Sequence, residues 1–267
     1  MQYDDDSHHL FLIFWGGKMI VEFVGEPKMG KTTASIVFAK GVADKFKGRF
    51  KVIDTTPGNE AYPIFYKLLV GEVDIFAEMR NEIENGVYVN VKTINDVRTE
   101  ANNCILDTNY KAVIIDSSDY LLEMAVKEYL EETGHKSVYP PTEWRIVRGK
   151  VIDVFRTLMQ RSDLVTVFTS PVKDEYIEVP VRTKNGVESK TMKTGNKIPA
   201  GFDKLSYIVD VRIGIGYDDR KRSRYYKVML SRYFDTLSNP VRYYGDDISF
   251  DLFVKLMTGK VEKEVKK

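Results

Sequence analysis

The sequence predicts an α/β fold with a mostly parallel central sheet flanked by helices and β-hairpins toward the C-terminus. From residue 19 to about 170, short β-branched apolar runs alternate with helix-period segments. Several of those runs stop at glycine, aspartate or proline, as buried strands do at a sheet edge. Beyond residue 170 the period shortens, and paired alternating runs flank turn residues. The chain has 267 residues, 43% hydrophobic and 30% charged, which suits one domain with a sizeable core. No linker rich in proline, glycine and serine divides it. Residues 19–258 therefore read as one domain, 1–18 as an N-terminal extension and 259–267 as a charged tail.

In order, Met19–Val24 is an apolar run ending at Gly25, and Thr32–Phe46 is a helix with Gly48 just beyond it. Phe50–Ile53 is a second strand, stopping at Asp54-Thr55-Thr56-Pro57-Gly58. Helices follow around Tyr62–Leu69 and Asp74–Glu84, with Gly71 and Gly86 at their ends. Val87–Val91 is a strand and Asn95–Asn103 a helix. Lys111–Ile115 is a buried strand ending in Asp116. Tyr120–Glu132 is a helix closed by Gly134. Another helix starts after Pro140-Pro141 with Thr142 as its N-cap and runs to about Arg161. Leu164–Thr169 is a strand. Tyr176–Arg182 and Ser189–Met192 form a hairpin around Asn185-Gly186. Ile208–Gly216 and Tyr225–Ser231 form a second pair, and Phe250–Met257 is a terminal helix.

Net charge is +1, so the whole chain has no polyanion bias. The single cysteine, Cys104, excludes an internal disulfide and fits a reducing, cytoplasmic setting. Histidines 8, 9 and 135 are too scattered for a metal site. No run approaches the ~18 apolar residues of a membrane span. Residues Gly16-Gly17-Lys18-Met19 are what a purine-rich ribosome-binding site followed by a start codon encodes. Met19 is thus expected to be the natural start.

The segment Gly25-Glu26-Pro27-Lys28-Met29-Gly30-Lys31-Thr32 matches G-x-x-x-x-G-K-S/T, after a strand and opening a helix. Its backbone N–H groups and the helix N-terminus would face the phosphates of ATP, from Gly25 through Thr33. Lys31 would reach the β- and γ-phosphates, and the Thr32 hydroxyl would ligate Mg²⁺. Asp116, at the end of Ala-Val-Ile-Ile, would hold the same Mg²⁺ through water. Asp119 reads equally as a helix-start acid. Candidates for the carboxylate that orients water are Asp54, Glu60 and Glu26. Thr169-Ser170 ends a strand where a polar group can sense the γ-phosphate, and Ser170 is assigned to the nucleotide.

The order of motifs resembles RecA-like ATPases. It runs from Gly25–Thr32 through Val-Ile-Asp-Thr-Thr-Pro-Gly (52–58) and Val-Ile-Ile-Asp-Ser-Ser-Asp-Tyr-Leu (113–121) to Val-Thr-Val-Phe-Thr-Ser (165–170). A terminal β region follows. The likeness covers roughly residues 19–235. It is closest to the compact phage and archaeal-virus versions, some of which anneal single strands. The resemblance implies an ATPase assembled as a homo-oligomeric ring or filament. It also implies a basic residue reaching the neighbour's nucleotide, with Lys227 and Arg232 as candidates. Where such proteins have Asp-x-Glu after the second strand, this chain has Asp54-Thr55-Thr56, which leaves Glu60 to take over or hydrolysis to be slow.

Two stretches are locally basic. Residues 182–204 hold Arg182, Lys184, Lys190, Lys193, Lys197 and Lys204 against Glu188 and Asp203. Residues 220–232 hold Arg220, Lys221, Arg222, Arg224, Lys227 and Arg232 with Tyr225 and Tyr226. Cations that track phosphates beside aromatics that stack on bases suit single-stranded nucleic acid. The alternatives are a small-molecule kinase, with Arg145, Arg148 and Arg156 as lid arginines, and a non-catalytic nucleotide-binding assembly module.

Overall fold

A computed structural model describes residues 19–70, 82–83, 86–183, 186–200, 202–233, 235–236 and 241–259. The elements are β1 (Met19–Gly25), α1 (Lys31–Lys45), β2 (Arg49–Asp54), α2 (Tyr62–Val70), β3 (Glu82–Ile83), β4 (Gly86–Asn90), α3 (Ile94–Leu106), β5 (Tyr110–Asp116), α4 (Tyr120–Thr133) and α5 (Pro141–Leu158). They continue with β6 (Val165–Thr183), β7 (Gly186–Pro199), a 3-10 helix (Asp203–Tyr207), β8 (Val211–Asp218), β9 (Ser223–Ser231), β10 (Arg242–Tyr244) and α6 (Phe250–Thr258).

The strands form one sheet in the order β10-β9-β8-β1-β6-β5-β2-β4-β3, with β7 paired to β6. From β8 across to β4 every pairing is parallel. Parallel neighbours need crossovers, and the crossover helices cover both faces. This is why β1 is buried along its whole length. Alternate residues serve opposite cores. Val21, Phe23, Ala112 and Ile114 face a core with α1, α2 and α6, while Ile20, Val113 and Ile115 face one with α3, α4 and α5. Among the described residues no helix is long and apolar enough to cross a membrane.

Several boundaries differ from expectation. Asp74–Glu84 was expected to be helical, but residues 71–81 lie outside the described residues. Glu82–Ile83 pair antiparallel with β4 as a short strand, and Gly86 opens β4 rather than closing a helix. Helix α5 starts at Pro141 with Pro140 in the N-cap position, so Thr142 is not the cap. Proline at the first helical position loses no needed N–H and brings its φ preset. Arg161 lies past the helix, where its guanidinium donates to the carbonyls of Cys104, Asp107 and Thr108. The largest difference is that β6 does not stop at Ser170. It runs on to Thr183 and pairs with β7 as a long antiparallel arm, with Thr183 opposite Gly186.

Helix α6 ties the end of the domain to α1. Phe253 packs against Phe23, Phe38 and Tyr226 at centroid distances of 5.2, 6.1 and 5.9 Å. Gly41 of α1 lies directly under Phe250, whose Cβ and Cγ would stand 2.3 Å from an added Cβ. Alanine at a helix interior gains up to about 1 kcal/mol over glycine. Overpacking costs about 1–3 kcal/mol, and Cβ of Phe250 cannot move without its backbone. Gly41→Ala is therefore expected to lower stability in a chemical-denaturation curve. An unchanged or raised midpoint would refute the packing of α6 on α1.

Candidate nucleotide site

The loop of the Gly25–Thr32 motif leaves the sheet at the last residue of β1, Gly25, which is still paired to β6 and β8. At Gly25 a Cβ would stand 2.5 Å from the Ile215 carbonyl oxygen, so the close approach of β8 requires glycine. Gly30 has φ 91°, a left-handed conformation that L side chains resist. Helix α1 then begins at Lys31 with no side-chain cap and no acid in its first turn. Its first N–H groups thus lack side-chain acceptors from the cap, and the dipole end favours an anion.

Lys31 folds back on the loop and donates from Nζ to the Glu26 carbonyl at 3.0 Å. Burial lowers its ammonium pKa, against the opposing pull of Asp116, Asp119 and Glu60. Thr32 Oγ1 donates to Asp116 Oδ2 at 2.7 Å. The Thr169 hydroxyl donates to the other oxygen of the same carboxylate. Asp116 is 4% exposed, and burial pushes its pKa up while the two hydroxyls pull it down.

Strand order explains this convergence. Because β6 lies between β1 and β5, Thr169 stands beside Phe23 on one side, and Phe168 beside Ile115 on the other. The loops after β2 and β5 are joined as well. Thr55 N donates to the Asp116 carbonyl at 2.7 Å and Ser117 N to Thr55 Oγ1 at 2.8 Å. The Asp116–Ser117 peptide is cis. Ser117 donates to Asp119, whose side chain makes no helix-capping bond.

Two expected site residues are placed elsewhere. Asp54 is fully buried, and its carboxylate accepts from Thr56 N (2.8 Å), Thr56 Oγ1 (2.6 Å), Ala61 N (3.1 Å) and Tyr88 Oη (2.7 Å). It shapes the 55–61 loop and has no free lone pair for a water. Glu60 is exposed at the end of that loop, and its charge and that of Asp119 both favour the Lys31 ammonium. Ser170 is also fully buried. Its hydroxyl lies 2.6 Å from Glu22 Oε1 and 2.6 Å from Ser118 Oγ, and Glu22 Oε2 accepts from Arg212 Nε at 2.6 Å. Alternation along β6 turns Ser170 toward this inner polar chain and Thr169 toward Asp116. The sequence reading missed Glu22 and Arg212 altogether, although a lone Glu in the apolar run Met-Ile-Val-Glu-Phe-Val was the visible signal.

Glu26 is exposed, and its carboxylate lies 3.3 Å from Lys197 Nζ on the β7 side of the arm. Lys197 and Lys193 both pair with Asp174, at 2.9 and 2.6 Å. Tyr176, Ile177, Val181 and Met192 of the arm are exposed. Arg232 lies at the end of the sheet opposite the phosphate loop. It pairs with Asp210 at 3.2 Å and donates to the Tyr207 carbonyl at 2.8 Å.

Among the described residues no group of three or more His, Cys, Asp and Glu side chains gathers as a metal site. A magnesium ion keeps most of its waters and takes one or two protein ligands plus phosphate oxygens. The Thr32 hydroxyl and the Asp116 carboxylate, 2.7 Å apart at the loop, fit that smaller demand.

No protein-family model matches this chain, and no curated protein matches it.

Proposed function

We propose that this chain is a Mg²⁺-dependent ATPase of the RecA-like kind that acts on single-stranded nucleic acid as a homo-oligomer. The observation that carries the reading is the convergence of Thr32 and Thr169 on Asp116 directly behind a complete phosphate loop. In this reading Lys31 exchanges the Glu26 carbonyl for phosphate oxygens, and the start of α1 receives the phosphate charge. Thr32 and Asp116 would hold Mg²⁺, which neutralises charge developing on the phosphates. Glu60 or Asp119 would orient the attacking water. Arg232 would serve a neighbouring subunit's nucleotide.

The nucleic-acid part rests on the arm. Strand β6 carries Thr169 to Asp116 and then continues as the exposed ribbon. Lys197 on the ribbon touches Glu26 of the phosphate loop. A change at the phosphates thus has two short paths to a ribbon that bears Tyr176 and Arg182 on one face and Lys190 on the other. A non-hydrolysing assembly module is the second reading, favoured by the full occupation of Asp54.

The test is Mg²⁺-dependent phosphate release with and without single-stranded DNA, at low and moderate salt. Turnover stimulated by the single strand, with stimulation falling steeply as salt rises, is the expected result. Tight binding of ATP with no release would favour the assembly module. Turnover indifferent to the strand would remove the nucleic-acid assignment and keep the ATPase.

A further inference from the structure

The basic residues between 220 and 232 do not form one surface. Strand β9 is antiparallel to β8, with Asp218 opposite Ser223 and Val211 opposite Ser231. Ile215 of β8 lies beside Gly25. The start of β9 therefore stands at the phosphate-loop end of the sheet, and Arg232 at the other. Eight extended residues separate Arg224 from Arg232 by roughly 26 Å.

Arg224 meets the phosphate loop itself. Apart from Gly30's own chain neighbours, the heavy atoms within 4 Å of where a Cβ on Gly30 would sit are Cζ and Nε of Arg224, each at 4.0 Å. Its backbone is held in place, since the Arg224 carbonyl accepts from Gly245 N at 3.0 Å and the residue lies opposite Tyr217. The side chain is held loosely. Its ion pair is Asp246 at 3.4 Å, with the two side chains 40% and 71% exposed. Such a pair is screened by water and is given up at little cost. Nearby cations are already occupied on rings. Lys221 Nζ lies 3.5 Å from the Tyr244 ring centroid and the Arg242 guanidinium 4.8 Å from that of Tyr225. A planar guanidinium at the lip of a loop built of N–H donors matches a phosphate chain, to which it can offer two parallel donors.

We propose that Arg224 is a phosphate-binding residue of the same subunit, leaving Asp246 to close on the phosphate chain of the bound nucleoside triphosphate. The start of β9 then serves the nucleotide and not nucleic acid. This inference rests on the reading that the loop at Gly25–Thr32 binds a triphosphate.

Calorimetric titration of the full chain with Mg²⁺-ATP, and separately with single-stranded DNA in the absence of nucleotide, tests it. Arg224→Gln is expected to weaken ATP about 10- to 100-fold, the worth of a charge-assisted hydrogen bond or two. Arg224→Lys is expected to recover part of that loss, and DNA affinity to stay within about twofold for both. Wild-type ATP affinity in Arg224→Gln would overturn the inference while leaving the nucleotide site intact. Lost DNA affinity with ATP binding retained would overturn it in favour of a nucleic-acid contact. Wild type that binds no triphosphate would instead defeat the parent reading. Mixing Arg224→Gln with Lys31→Ala separates cis from trans, because both changes disable the site of their own subunit. No recovery of turnover is expected, and recovery would refute the same-subunit assignment.

Discussion

Asp116→Asn is expected to abolish Mg²⁺-dependent turnover while leaving the ligand-free protein at least as stable as wild type. The two effects come from one feature. Asp116 is a buried carboxylate whose pKa is raised by lost hydration, despite hydroxyl donors on both oxygens. An acid whose folded pKa lies above its unfolded value is penalised when ionised. Its stability cost is absent at low pH, grows as pH rises through the unfolded pKa, and is complete above the folded one. At neutral pH asparagine removes that cost. The hydroxyls of Thr32 and Thr169 can turn to suit an amide, so no buried group is stranded. A metal ligand, by contrast, supplies several kcal/mol of transition-state charge stabilisation, and its loss lowers turnover roughly 10²- to 10⁴-fold. A thermal melt paired with phosphate release reads both quantities. Turnover near wild type would remove Asp116 from the site. A melting temperature several degrees lower would make it a structural residue instead.

That combination matters because a fold alone places carboxylates at strand ends. Asp54 and Asp116 end neighbouring strands in register with each other, and both are buried. Asp54 accepts from two backbone N–H groups, a hydroxyl and a phenol, so its charge is spent on local structure. Among the described residues the Asp116 carboxylate accepts from two hydroxyls, that of Thr32 at the start of α1 and that of Thr169 on β6. The difference is between a carboxylate that organises a loop and one whose partners can be exchanged for an ion.

The sequence made the phosphate loop and the Asp116 strand legible because each is a local signal. A glycine-bounded loop between an apolar run and a helix leaves little freedom, and Thr32 donates to Asp116 at 2.7 Å. What it concealed was register. Thr169 and Ser170 are adjacent and both polar, and only the pairing of β6 with β1 and β5 decides which one faces Asp116. Asp54 looked like a base because its partner Tyr88 lies 34 positions away. Strand β6 was read as two pieces, Leu164–Thr169 and Tyr176–Arg182, because Pro171 between them interrupts its alternation. Pro171 stands where β6 passes from β1, opposite Gly25, to β7. Strand β10, three residues long and paired only to β9, was too short to carry a periodic signal. The basic run at 220–232 looked continuous in one dimension, while an extended strand carried its two ends to opposite sides of the sheet.

Lys31→Ala is expected to remove nucleotide binding without harming the fold, and the pH dependence of the wild type is expected to reveal why. Burial lowers the Lys31 pKa below its usual 10.5, opposed by Asp116, Asp119 and Glu60. A base whose folded pKa is depressed is penalised when charged, so the ammonium costs stability at neutral pH. The cost begins to fall as pH passes the lowered pKa and is gone above the unfolded one. Alanine should therefore leave the melting temperature of the ligand-free protein unchanged or slightly raised. Triphosphate oxygens reverse the balance by supplying a charged partner in place of the Glu26 carbonyl. Losing that contact is expected to weaken turnover roughly 10²- to 10³-fold, as for other donors preset toward a charged oxygen. It should also erase the stabilisation by Mg²⁺-ATP, which at a hundredfold excess over Kd amounts to about 2.7 kcal/mol. Binding needs the protonated amine, so wild-type affinity should decline with rising pH from a point below 10.5. The decline should end only above the pKa of the complex, and Lys31→Ala should show none of it. A variant that kept the wild-type alkaline limb would place the titrating group elsewhere. One that still melted higher with Mg²⁺-ATP would show that the loop's backbone, and not Lys31, holds the phosphates.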